Sequence, residues 1–337
     1  MWRRPNIENV PRRSVNLLLL GAVVTLVATG LIAWALPESA ATPLLLVHRG
    51  AGLALLVAIV WKLPIARGSL VRRLARRVDP SLVVGVLTGI ALALTLALGL
   101  AWTFGVVSFD RPWAYSALNL HVFAGIALAG LVGLHAARRW ERRPALPRLV
   151  SRRSALRVLG LGALGAALVP LLEPFADTRR VTGSKHASSF SGNDFPVTIW
   201  SFDGVPEVDT KSWKLLLTGS LPRPAELSLD ELAGYEHMRV SAVIDCTGGW
   251  WSEQRWSGVG LAALLDRHGV ARSARLDIVS VTGHHWAFGR GELDDAVLAT
   301  HVGGDPLSTA HGAPLRLVVP ERRGFQWVKW LDRIEVS

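Results

Sequence analysis

Residues 81–109 read SLVVGVLTGIALALTLALGLAWTFGVVSF, 29 positions without a single Lys, Arg, Asp or Glu. About 20 apolar residues in a helix cross the hydrocarbon core of a bilayer, so this stretch is expected to be a transmembrane helix. Working outward, Val15 to Leu36 and Pro112 to Ala137 lack the same four residue types and are long enough to span. Thr42 to Trp61 is equally apolar apart from His48 and Arg49 near its start, and Lys62 and Pro64 are expected to close it. Val158 to Leu172 is a shorter fifth run, rich in Gly and Ala, read as a last span or short anchor.

Charge sorts along the chain in a way that orients these spans. Residues 1–172 hold 20 Lys and Arg against 5 Asp and Glu, whereas residues 173–337 hold 17 against 21. The excess is clustered at Arg3, Arg4, Arg12 and Arg13, at Lys62 to Arg77, and at Arg138 to Arg153. Loops rich in Lys and Arg stay cytoplasmic, which puts residues 173–337 on the extracytoplasmic side of a multi-pass inner-membrane protein. A net charge of +11 therefore reflects membrane loops and not a nucleic-acid surface. Half of the side chains are hydrophobic, which excludes a disordered chain, and a single Cys excludes an intramolecular disulfide or a Cys-rich zinc site.

Ser151-Arg152-Arg153-Ser154-Ala155-Leu156-Arg157 resembles a twin-arginine export motif, read by a receptor that moves folded proteins. Its arginines also suit the cytoplasmic end of an ordinary span, and both readings stand at this point.

Three histidines fall inside expected spans, where an ionisable side chain is costly and functional by default. His48 opens span two and His121 opens span four, both on the outer side, so two imidazoles share one depth and could hold a haem iron axially. The alternative is that each binds a neighbouring backbone. His135 lies 14 residues beyond His121, about 21 Å deeper at 1.5 Å per residue, opposite Val60-Trp61-Lys62, which has no histidine. The His121/His135 spacing resembles that of membrane cytochromes b.

Asp177 to Ser191 is polar and reads as a linker. Beyond it, short β-branched or alternating runs at Trp213 to Thr218, Met238 to Ile244, Leu276 to Val281, Leu315 to Val319 and Ile334 to Val336 predict strands. Ser228-Leu229-Asp230-Glu231 has capping-box form, and Leu261 to His268 reads as a helix. Cys246 ends one expected strand and precedes Thr247-Gly248-Gly249. A lone Cys at a strand end is either a small buried hydrophobe or a thiolate ligand or nucleophile.

Several ordered segments between Asn193 and Val336 resemble the molybdopterin-binding domain of the sulfite oxidase family. They are Ser212-Trp213-Lys214 through Gly219, Pro222-Arg223-Pro224, Leu229 to Leu232, Cys246, Trp256-Ser257-Gly258-Val259, His311 through Pro320, Gly324, and Trp327-Val328-Lys329-Trp330. The resemblance implies that Cys246 is the protein ligand to molybdenum. It also implies that His311, Arg316, Val328 and Lys329 hold the pterin and its phosphate, and that Asn193 contacts the pterin.

The sequence departs from sulfite oxidases where their active-site Tyr is replaced by Thr300, and where Gly248 to Trp251 stand in place of an Arg. The Trp-Ser after Cys246, with the membrane segments, is more similar to the periplasmic methionine sulfoxide reductase catalytic subunits. Trp250, Trp251, Arg255, His284, His285, Trp286 and His301 are candidates to line a substrate pocket, each with core packing or a surface position as its alternative.

The expected organisation is an all-α transmembrane bundle of about five spans followed by an α+β sulfite-oxidase-type molybdopterin domain. Residues 1–150 would form a four-helix unit with a haem b site, 151–176 the arginine motif and fifth span, 177–192 a linker, and 193–337 the oxidoreductase domain. The implied cofactor is molybdopterin with molybdenum. The implied partners are the membrane, a quinone or another redox carrier, and a small-molecule or protein-sulfoxide substrate, with no nucleic acid. Two rival readings are a haem-free anchor served by a soluble electron partner, and a non-catalytic membrane binding protein that kept the fold.

Overall fold

The computed structural model describes residues 12–75, 79–106, 115–139, 152–172, 179–199 and 204–337. They form two compact units, Met1–Gly183 and Ser184–Ser337.

The first unit is helical. Helices α1 (Arg12–Ala35) and α2 (Glu38–Leu74) pack as one hairpin, α3 (Pro80–Thr103) and α4 (Ala117–Arg139) as another, and α5 (Arg152–Leu172) lies against α2. Among the described residues four helices, α1 to α4, are long and apolar enough to cross a membrane. Within α5 the apolar part, Gly162–Leu171, is shorter. Small residues let it approach α2 closely: Gly165 sits against the Gly50 carbonyl and Ala54, where a side chain would collide.

Helix α2 runs past both Lys62 and Pro64, which the sequence reading expected to end it. A proline removes one backbone donor, a loss that a membrane helix tolerates when neighbours re-satisfy the freed carbonyl. At 37 residues and 1.5 Å per residue the helix is about 55 Å long, well over the roughly 30 Å of a hydrocarbon core, and its last turns carry Arg67, Arg72 and Arg73. Asp79 stops the next segment from fraying: its carboxylate caps α3 by accepting from the Leu82 amide at 2.7 Å and pairs with Arg73. Inside these helices, Thr29, Thr88, Thr95 and Thr103 return their hydroxyls to carbonyls one turn earlier, which satisfies them without water.

Residues 179–183 are fastened to this unit. Arg49 donates to the Val181 carbonyl at 2.7 Å, Trp102 Nε1 donates to the Gly183 carbonyl at 2.8 Å, and Arg180 pairs with Glu38.

The second unit contains two sheets. One has six strands in the order β1 (Lys185–His186), β5 (Trp250–Gly260), β8 (Val297–Val302), β10 (Arg316–Val318), with β4 (His237–Asp245) also paired to β5 and β9 (Asp305–Pro306) to β8. The other has the order β3 (Ala225–Leu227), β2 (Leu215–Gly219), β11 (Leu331–Val336), β6 (Arg275–Ser280), β7 (His285–Gly289). Two short helices, α6 (Leu229–Ala233) and α7 (Leu261–Arg267), complete the α+β pattern. The capping box holds: Ser228 Oγ accepts from the Glu231 amide, and Glu231 accepts from the Ser228 amide. The polar stretch read as linker is partly structural, since Lys185–His186 pair in parallel with Trp250–Trp251.

Candidate active site

Cys246 lies in the turn between β4 and β5, whose register runs from His237↔Val259 to Asp245↔Trp251. The turn closes through Cys246 N–H to the Trp250 carbonyl at 2.9 Å and Gly249 N–H to the Cys246 carbonyl at 3.1 Å. Gly249 has φ +92°, a left-handed conformation that a side chain would strain. The Gly248 amide donates to Cys246 Sγ at 3.3 Å. Beneath the turn Asp245 accepts from Ser184 Oγ at 2.6 Å and faces Arg323 at 3.6 Å, both charged residues being buried. Gly324 brings backbone against the Cys246 Cα, where a Cβ would stand at 3.3 Å.

His311 ends a single 3₁₀ turn (Thr309–His311) and Arg316 begins β10. Between them Gly312, at φ +117°, has a backbone that strains any side chain, and a Cβ would be crowded by the Arg316 Cβ at 3.3 Å and the Lys329 Cβ at 3.2 Å. The two cations therefore converge across one glycine. Arg316 is 1% exposed, donates to the His311 carbonyl at 2.8 Å, and lies over Trp256 and Trp327 with its guanidinium 5.3 and 5.9 Å from their ring centres. Lys329 Nζ donates to the carbonyls of Thr198 and Ala310.

Electrostatics single out this cluster. Burial pulls the Arg316 pKa down to about 10, opposed by the negative potential of Cys246. Burial and then Arg316 pull Lys329 down to about 7, again opposed by Cys246. Burial holds His311 at about 4, so at neutral pH its Nε2–H donates to the Phe195 carbonyl at 3.0 Å while Nδ1 accepts from Ser308 Oγ.

A fully buried guanidinium is costly without an anion beside it. Arg316 Nε and the neighbouring Trp327 Nε1 are buried donors without a hydrogen-bond partner. A soft thiol, two converging cations and unspent buried donors fit a metal-bearing cofactor with an anionic tail.

The remaining sequence candidates divide. Asn193 uses its amide locally, donating to the Pro306 carbonyl and accepting from the Ser308 amide. Val328 is fully buried and its carbonyl accepts from the Leu317 amide. Trp250 is buried, with Nε1 donating to Thr198 Oγ1 at 2.9 Å. Trp251 packs on His186, and exposed Arg255 lies over Phe190. His284 Nε2 donates to the Phe325 carbonyl and Trp286 meets the Phe325 ring edge-on, next to Gly324. Exposed His285 pairs with Asp277, and His301 with Thr300 Oγ1. Phe195 and Thr198, which contact His311, Lys329 and Trp250, carry no pattern that marks them in the sequence.

In the helical unit His48 and His121 come together, ring centres 6.1 Å apart. Each Nδ1 donates to a carbonyl, His48 to Leu26 at 2.9 Å and His121 to Thr95 at 2.8 Å, which leaves the Nε2 lone pair of each neutral ring for a ligand. Glycines make space for both, Gly30 beside His48 and Gly99 beside His121. His135 faces Gly85 in the same manner one level deeper. At the matching level of α1 and α2 stand Asn16 and Lys62, hydrogen-bonded at 2.7 Å.

Residues 202–337 match the family model described as the oxidoreductase molybdopterin binding domain. The chain is 33% identical over 143 residues to the protein-methionine-sulfoxide reductase catalytic subunit MsrP of Xanthomonas campestris pv. campestris, covering 36% of this chain and 44% of that protein. It is 28% identical over 230 residues to the MsrP of Gluconobacter oxydans, covering 56% and 69% respectively. It is also 29% identical over 168 residues to a nitrate reductase [NAD(P)H] of Hordeum vulgare, covering 40% of this chain and 19% of that protein. The chain thus spans less than half the length of the Xanthomonas subunit and of the Hordeum enzyme. The part of the chain that carries Cys246, His311, Arg316 and Lys329 is a molybdopterin-binding oxidoreductase domain of the sulfite oxidase family.

Proposed function

We propose that the protein is a membrane-anchored molybdoenzyme that removes an oxygen atom from a sulfoxide, or adds one to the corresponding thioether, on the extracytoplasmic face. The observation that carries this reading is the convergence of the lone Cys246 with buried Arg316 and half-buried Lys329 around Gly312. When bound, the molybdenum cofactor supplies two-electron oxygen-atom chemistry. Cys246 would hold the metal through its sulfur. Arg316 and Lys329 would neutralise the anionic tail, while His311, Asn193 and the backbone at Val328 would fix the pterin. A small-molecule or protein sulfoxide is favoured because two relatives are named as methionine-sulfoxide reductases.

The helical unit would anchor the enzyme in the inner membrane with five spans, α5 included, and would exchange electrons with a quinone or another carrier. One haem b between His48 and His121 suits that role. Their ring centres stand 6.1 Å apart, and their remaining ring nitrogens would hold the iron. The arginine motif at 151–157 would export the domain after cofactor insertion.

Metal analysis of the detergent-purified protein together with a reduced-minus-oxidised optical spectrum tests both halves of the reading. Molybdenum near one per chain and a haem b band are expected. Molybdenum without haem would leave the haem-free anchor, and neither would leave a non-catalytic fold. Cys246→Ser is expected to abolish turnover in a folded domain, because a hydroxyl is a poor ligand for a soft metal. Full activity in a molybdenum-loaded Cys246→Ser protein would remove the ligand assignment.

A further inference from the structure

Among the described residues the sulfur of Cys246 accepts one hydrogen bond, from the Gly248 amide at 3.3 Å. Hydrogen bonds to a ligating sulfur orient it and withdraw charge from it, and so tune the metal it binds. What holds that amide in place is therefore a functional question. Gly248 has no side chain to anchor it. Directly above its Cα passes the hydrogen bond from Trp250 Nε1 to Thr198 Oγ1, at 2.9 Å, and a Cβ on Gly248 would lie 3.0 Å from the hydroxyl and 3.3 Å from the indole nitrogen. The Thr198–Trp250 pair thus packs over the turn as a two-residue clamp, filling the space a side chain on Gly248 would need, with Trp250 only 2% exposed.

Thr198 is also tied to the other end of the site. Its carbonyl accepts from Lys329 Nζ at 3.0 Å, and three residues earlier the Phe195 carbonyl accepts from His311. One short segment therefore runs from the groups placed at the cofactor's tail to the turn that carries the sulfur. An indole N–H can only donate, so the clamp depends on an acceptor at position 198.

We infer that Thr198 is a positioning residue for the Cys246 sulfur, acting through Trp250 on the Gly248 amide and so on the redox properties of the metal. This rests on Cys246 being the molybdenum ligand. The assignment extends the site to a residue that touches neither substrate nor metal. Threonine to valine keeps shape and backbone carbonyl but deletes the acceptor; Trp250→Phe deletes the donor and keeps a ring.

The test is a redox titration of the molybdenum-loaded enzyme, followed by the paramagnetic resonance signal of its one-electron state, with metal content measured on every sample. Thr198→Val and Trp250→Phe are expected to shift both midpoint potential and signal in the same direction, and Thr198→Ser to restore the wild-type values. The double variant should shift no further than either single one, since both remove the same bond. Wild-type potentials and signals in metal-loaded Thr198→Val or Trp250→Phe would overturn the proposal, as would additive shifts or loss of metal from Thr198→Ser. If Thr198→Val fails to load metal, Trp250→Phe decides alone. Failure of the underlying reading looks different: the signal would then be unchanged in Cys246→Ser.

Discussion

Lys329 is a cation placed where water is scarce and Arg316 is near, and its pKa of about 7 records the conflict. An anion bound beside it would restore the proton, so binding takes up protons above neutral pH. In cofactor-free protein the affinity for a phosphate monoester is expected to fall as pH rises through 7, approaching about tenfold per unit. Calorimetry from pH 6 to 9 checks this, and an affinity that stays flat would remove Lys329 from the anion site. The sign for folding is opposite. Between about 7 and the unfolded value near 10.4 the unfolded chain holds the extra proton, so the cofactor-free domain gains stability with rising pH in that window. Cys246, His311, Arg316 and Lys329 were legible in the sequence because they sit in ordered motifs. Thr198 was not, because its part depends on where one hydroxyl stands in an irregular segment. The Asp245–Arg323 pair was hidden for the same reason, being joined by a single bridge between distant residues.

Periodicity served the elements unevenly. Strands β2, β4, β6, β10 and β11 lie within a few residues of their apolar runs. Strand β5 was missed because its inward positions read Trp250, Ser252, Gln254 and Trp256, two of them polar. Both donate to the Ser188 carbonyl, 64 and 66 residues away in sequence, and Gln254 also donates to the Ser191 hydroxyl, ties that no local pattern reveals. In the helices the 14-residue step from His121 to His135 is matched on α3 by Gly99 and Gly85, giving two equivalent levels. Helices α1 and α2 repeat the upper level with Gly30 and His48, but carry Asn16 and Lys62 at the lower one. Accordingly His48→Ala or His121→Ala is expected to abolish the haem band and His135→Ala to retain it. Loss in His135→Ala with retention in His121→Ala would reverse the assignment.

At the scale of the whole molecule the chain joins a helical unit with four apolar helices of spanning length to a sheet domain of a cofactor-binding family. A domain that receives its cofactor before export must cross the membrane folded. Replacing Arg152 and Arg153 together by Lys preserves the positive charge and removes the arginine motif, so the domain is expected to remain on the cytoplasmic side. External protease that still cleaves it in the double variant would favour insertion by charge alone. Topology adds a constraint on timing. Strand β11 is the middle strand of the second sheet, parallel to β2 and antiparallel to β6, and it is made of residues 331–336. The ribosome adds about 5–20 residues per second, and the five described helices of the first unit emerge before the two halves of that sheet have anything to join them. Until residue 336 is free, β3 and β2 on one side and β6 and β7 on the other are separate edges. Synthesis thus imposes an order, with the helical unit made while the sheet domain is still open.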